Sequence, residues 1–312
     1  MTVARIIQGA AHRVPARMKL PRLSIALTLA CAALGAAAHD TWFEPMPAAG
    51  AGPLLALGTG NQFPLQESGI GAEYLVARGC RTAASSAAAL RAMRNAPASL
   101  ILQAPPGATT CWAELQPFEI ELPADKVAIY FKDIQASPAV RAAWAEQQQR
   151  GLPWRERYTK HARIELAAGS PEPGAAAFRS PLGLDIVIDP AEVRRGATLQ
   201  AQVLRDGLPL AGLAVELRSE LSPLGFWRQT DDQGRISFSL PLAGRWVLRG
   251  VDLRPVEGDS VRWVSHFVSL AFELPRADAQ NGSSLRLNTL SINQVAATAA
   301  ISSEPPSSTA RR

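Results

Sequence analysis

The stretch TDDQGRISFSLPLAGRWVLRG, residues 230–250, decides the fold of this chain. Its opening, Asp232-Gln233-Gly234, is turn chemistry. Two apolar runs follow, 236–240 and 246–251, and the first alternates Ile236, Phe238 and Leu240 with serines, the period of a strand with one buried face. Reading outward, the same texture continues on both sides. Runs at 184–188, 198–204 and 214–218 precede it and a longer one at 261–272 follows, with Asp206-Gly207 and Leu208-Pro209 as further turns. Six or seven short strands in about ninety residues predict an immunoglobulin-like antiparallel β-sandwich over 181–275.

Ahead of it, residues 39–180 read as a second β-rich domain with one or two short helices. Extended runs fall at 54–58, 73–76, 118–122 and 127–131, and 118–122 alternates Phe118, Ile120 and Leu122 with two glutamates. Ser137-Pro138 supplies a cap and a first helical position for AVRAAWAEQQQR, which Gly151 and Pro153 stop. A shorter alanine-rich helix is expected at 86–94. The stretch 170–181, rich in Pro, Gly and Ala, reads as the linker, and 276–312, rich in Ser, Asn, Ala and Thr, as a mostly disordered tail. The fold class expected is therefore mainly β, in two β-rich domains.

Residues 1–38 read as a signal peptide. The apolar run in LPRLSIALTLACAALGAAA follows Lys19 and Arg22, is short for a membrane span, and ends in three alanines. Met18 is a candidate true start. Cleavage after Ala38 makes His39 the first mature residue and sends the protein to the periplasm or beyond, with no stable membrane insertion. It also removes Arg5, Arg13, Arg17, Lys19 and Arg22 and no acid, so 32 basic residues fall to 27, equal to the 27 acids. The basic character of the full chain thus belongs to the leader. No basic cluster interleaved with aromatics remains, so nucleic acid is not an expected partner.

Cys31 lies in the leader, in a context that lacks the leucine a lipobox wants. Cys80 and Cys111 survive export. A disulfide is the simplest state for two cysteines in an oxidising compartment, with a thiol metal pair or two free thiols as alternatives.

Further residues resemble a known family. AHDTWFEP at 38–45, RYTK at 157–160 just before a strand, PLGL at 181–184, and then DGLPLAGLAVELRSE at 206–220 with the stretch quoted first, are similar in kind and order to the DUF4198 proteins, a family associated with periplasmic nickel uptake. The second half also looks like the carboxypeptidase-regulatory or CnaB type of sandwich. The resemblance implies an exported envelope protein with a transition-metal role and supplies no reaction. The mature chain has no histidine-rich stretch.

Export leaves three histidines: His39, His161 and His266. A mature N-terminal histidine can chelate one ion through its amine and its imidazole, donors that suit Cu, Ni or Zn better than Ca or Mg. His161 or His266 is then the candidate outside ligand, with Asp40 and Glu44 as acids that ligate or orient. His266 shares strand parity with Val264, Val268, Leu270 and Phe272, a face expected to be buried. His161 shares parity with Arg163 and Glu165 and is expected to face solvent or the other domain. Trp42 and Phe43 are read as anchors of the first strand. GxSxG, HExxH, GxxxxGK[ST] and GxGxxG are all absent. The leading functional reading is a periplasmic protein that binds or delivers one Ni, Cu or Zn ion, partnered with an envelope transporter or other envelope protein. A binding module for protein or glycan and a histidine-brace copper redox enzyme are the alternatives.

Overall fold

The strand patterning is realised in eighteen strands and two α-helices among the residues that the computed structural model describes, 39–47, 52–166 and 177–274. Residues 1–38, read as a signal peptide, 48–51, 167–176, which take in part of the expected linker, and 275–312, which take in the expected tail, lie outside the described residues. The chain order begins with β1 (Asp40–Met46), β2 (Leu54–Gly60), β3 (Ser68–Gly69), β4 (Leu75–Thr82), β5 (Ser85–Ala88), β6 (Arg91–Asn95), β7 (Leu100–Gln103), β8 (Thr110–Leu115) and β9 (Phe118–Leu122). Then come α1 (Ala124–Asp133), α2 (Pro138–Gln149) and the long β10 (Trp154–Glu165). The second half carries β11 (Leu184–Ile188), β12 (Thr198–Arg205), β13 (Leu208–Pro209), β14 (Ala214–Ser219), β15 (Phe226–Gln229), β16 (Arg235–Ser239), β17 (Gly244–Pro255) and β18 (Arg262–Leu274).

A nine-stranded sheet forms the spine, in the order β15-β14-β17-β18-β10-β8-β4-β5, with β9 also on β10. Its middle joins the two halves of the sequence. β10 and β18 run parallel from Arg155↔Arg262 to Glu165↔Phe272, whereas β17 and β18 are antiparallel over the length of β17. The antiparallel pairing expected within 181–275 holds for β17 and β18, and between the halves the long connection from β10 to β18 makes the parallel pair available.

Both faces of this sheet are covered, and β18 shows why its sequence reads as a nearly unbroken apolar run. Val268, Leu270 and Phe272 point into a core shared with Leu184, Ile186, Val203 and Phe238 of the four-stranded sheet, which comprises β11, β12, β13 and β16. The intervening Phe267 packs instead with Val127, Tyr130, Trp144 and Trp263 against the helices, and Ala271 with Phe43, Leu57 and Leu102 of a five-stranded sheet built from β1, β2, β3, β6 and β7.

Local readings hold where the chemistry is local. Ser137 accepts the Val140 amide and Pro138 occupies the first turn of α2, as the cap residues predict. β9 alternates half-buried and exposed residues along Phe118–Leu122. Trp42 and Phe43 are buried. Three expectations are corrected. Residues 127–131 lie in α1, because Val127, Tyr130 and Phe131 bury one helical face at spacings of three and four, which a short apolar run cannot reveal. Residues 73–76 begin as a short 3₁₀ turn and become strand only from Leu75. The alanine-rich helix at 86–94 does not form. Ala88 pairs with Cys80 of β4, and β6 pairs with β7, so sheet edges override a weak helical propensity.

Candidate functional site

β10 carries the polar residues that matter, and its alternation sends them to two different faces. On one face Lys160 runs inward and its ammonium donates to the His39 carbonyl oxygen at 2.8 Å. The same ammonium lies 5.7 Å and 5.8 Å from the ring centres of Tyr158 and Phe267. Burial lowers the Lys160 pKa to about 8, with Asp40 opposing the shift. His39 itself is partly exposed at the start of β1. Its Nε2 lies 3.0 Å from the Asn61 side-chain amide and 3.8 Å from Glu67 Oε2, and Asn61 also donates to Glu67 at 3.0 Å. No described residue takes up His39 Nδ1.

On the opposite face His161 is buried beside Gly183, where a Cβ would sit 3.6 Å from its Cε1. Of the two surroundings its parity allowed, it takes the second half of the chain and not solvent. His161 Nε2 meets His266 Nδ1 at 3.1 Å, and the two ring planes differ by only 17° with centres 5.4 Å apart. These values place the two nitrogens almost on the line joining the ring centres. Behind His161, its Nδ1 faces Glu114 Oε2 at 3.4 Å, an electrostatic contact longer than a good hydrogen bond. Nδ1 is fully enclosed and has no hydrogen-bond partner among the described residues. Contact with His161 is the main cause that lowers the Glu114 pKa, and the Gly183 backbone adds to it. His266 is half-buried on the face shared with Val268 and Leu270. Burial, and then His161 and Arg254, lower its pKa, while Asp252 and Asp206 act the other way.

The predicted site residues therefore fall into two places. His161 and His266 meet. His39 stands across the sheet from them, and among the described residues no three His, Cys, Asp or Glu side chains are grouped closely enough to hold a metal. Asp40 is buried in an ion pair with Arg249 at 2.8 Å, and that guanidinium also binds Glu216. Glu44 accepts from Trp42 Nε1 at 3.1 Å and pairs with Arg245 at 3.0 Å, and burial is the leading cause that raises its pKa. Both acids are engaged by arginines. Asn61 and Glu114 escaped the sequence reading, and Glu67 entered it only as one of several acids with nothing to tie it to His39. Glu114 left a signal, a lone acid in the apolar run TCWAEL, whereas nothing in the local sequence marks Asn61 or Glu67.

Cys80 and Cys111 face each other across β4 and β8 and form a disulfide, both wholly buried. Among the described residues no helix is long and apolar enough to cross a membrane.

The domain of unknown function DUF4198 matches residues 36–251, which span β1 to most of β17 and include Glu114 and His161. The chain belongs to the DUF4198 family. No curated protein matches the sequence, and no solved structure matches it. In this DUF4198 chain His39 lies just inside the start of the matched region, and His266 lies beyond its end.

Proposed function

We propose that this DUF4198 protein is exported and binds one transition-metal ion, copper, nickel or zinc, through His39, holding it in the cell envelope or delivering it to an envelope partner. The observation that carries the reading is the way His39 is held. Its ring is engaged at Nε2 by Asn61 and Glu67, and its carbonyl by the buried Lys160, while Nδ1 is left without a partner among the described residues. Cleavage after Ala38 creates an α-amine on the same residue, so amine and Nδ1 offer two nitrogens in one chelate. Asn61 Nδ2 donates to Nε2, which places the ring proton on Nδ1; metal binding at Nδ1 moves that proton to Nε2, where Glu67 Oε2, 3.8 Å away, is the kind of carboxylate that orients a metal-bound imidazole. Nitrogen donors favour copper over the other divalent ions.

The histidine-brace alternative asks for a third nitrogen beside His39, and the other two imidazoles face each other across the sheet. The immunoglobulin-like form expected of 181–275 belongs to the same proposal, and the core shared by the four-stranded sheet with β14, β17 and β18 supports it. Calorimetry on three samples tests the site: protein beginning at His39, the same protein with one residue added before it, and His39→Ala. Extension turns the amine into an amide and should weaken binding, and His39→Ala should weaken it further. Equal metal binding by all three overturns the His39 site and places the metal elsewhere, and no binding by the protein beginning at His39 leaves the protein- or glycan-binding module as the better reading.

A further inference from the structure

We propose that His161 and His266 form a second transition-metal site, on the face of the sheet opposite His39, with His161 Nε2 and His266 Nδ1 as ligands and Glu114 as the residue that positions His161. The site stands independently of His39.

The argument begins with proton placement. Glu114 faces His161 Nδ1 and favours the proton there, which leaves the lone pair on Nε2. His161 Nε2 then accepts the hydrogen bond and His266 Nδ1 donates it. A carboxylate behind one nitrogen of a buried imidazole, with the other nitrogen free to act as an acceptor, is the arrangement that orients metal-binding histidines. Two nitrogens each about 2.05 Å from one ion lie about 2.9 Å apart at a right angle and about 3.4 Å apart at the tetrahedral angle. The observed 3.1 Å falls between these limits.

Separation is satisfied, but direction needs one change. The two nitrogens now point at each other, as a shared proton requires, so the half-buried His266 ring must swing until both lone pairs converge. His161, enclosed and backed by Glu114, stays fixed. The proton leaves His266 Nδ1 for solvent and another is taken up at Nε2, so the neutral pair binds a metal with no net proton loss. Asp252, on β17 directly opposite His266, and Asp206 lend negative potential, which Arg254 opposes and the Arg205 paired with Asp252 at 3.0 Å moderates. Two protein nitrogens leave further coordination positions to water or to a small donor molecule. Imidazole ligands suit copper, nickel and zinc.

The test uses the His39→Ala protein, which removes the terminal chelate, with Cu²⁺ as the probe and paramagnetic resonance as the readout. One Cu²⁺ per chain with hyperfine coupling to two imidazole nitrogens is expected. His266→Gln, a half-buried position where folding should survive, should abolish the two-nitrogen signal. Glu114→Gln should keep that signal while weakening affinity by about 10–100-fold, the usual effect of losing a partner that orients a ligand. Thermal unfolding of each variant confirms that it is folded. The proposal is overturned if His39→Ala binds no Cu²⁺, or if His266→Gln binds it unchanged. Because the terminal chelate is absent throughout, neither result bears on His39.

Discussion

Glu156, on β10, shows how one buried carboxylate shapes the response of the protein to pH. It accepts from Tyr130 at 2.9 Å, from Trp154 Nε1 at 3.0 Å and from the Ser265 hydroxyl, all three neutral donors. Burial raises its pKa above the ordinary 4.5 against the pull of these hydrogen bonds. The folded state therefore binds this proton more tightly than the unfolded chain. The resulting stabilisation is full below pH 4.5 and is lost as the pH rises through the higher folded value. In Glu156→Gln that loss is absent. Urea denaturation across this range should show the wild-type protein losing stability relative to Glu156→Gln as the pH rises, whatever constant offset the amide introduces. The opposite slope would show that the carboxylate is held by positive charge. His161 makes a different point at the same scale. Its parity was visible in the sequence, but the identity of its neighbour on that face was not.

At the scale of elements, β4 and β8 are stitched at Cys80↔Cys111, a directly opposed pair in the ladder. The bridge closes a loop with a sequence separation of 31, and β5, β6 and β7 all lie within it. Those strands include the 86–94 stretch that composition alone would have made helical. Their extended form depends on partners brought from elsewhere. Replacing both cysteines by alanine should cost roughly 3–4 kcal/mol through the freed unfolded chain, read as a lower urea midpoint than that of the oxidised protein. The effect should vanish when both proteins are compared under reducing denaturant. A change much below 1 kcal/mol would mean that the strands hold their register without the bridge. α1 and α2 differ from these edges. α2 carries its own start signal in Ser137-Pro138, whereas α1 is fixed by the apolar face it lays against Trp154 and Phe267.

For the whole molecule, the decisive feature is the sheet that runs through both halves of the chain. β18 is flanked by β17 from its own half and by β10 from the other. A fragment beginning at Leu182 keeps the core shared with the four-stranded sheet, but it strips β10 from β18 and uncovers Phe267 and Ala271. An open, apolar edge of that length invites pairing with another chain. Such a fragment should self-associate in sedimentation, while the chain from His39 onward under the same conditions should not. A monomeric, cooperatively folding fragment would show that the second half closes its core without β10.

The sequence by itself determined the β class, six of the eight strands of the second half, the cap of α2 and the short list of histidines. These follow from side-chain period and from chemistry between near neighbours, which a linear string records. It named two cysteines as a candidate pair, and their pairing follows from the strands that oppose them. Only the tertiary structure decided which histidines meet. Thr159↔His266 and His161↔Glu114 are registers between strands far apart in the chain, set by how three sheets share their cores. The same registers put Lys160 under His39 and His161 against His266, on opposite faces, because adjacent residues of a strand point opposite ways.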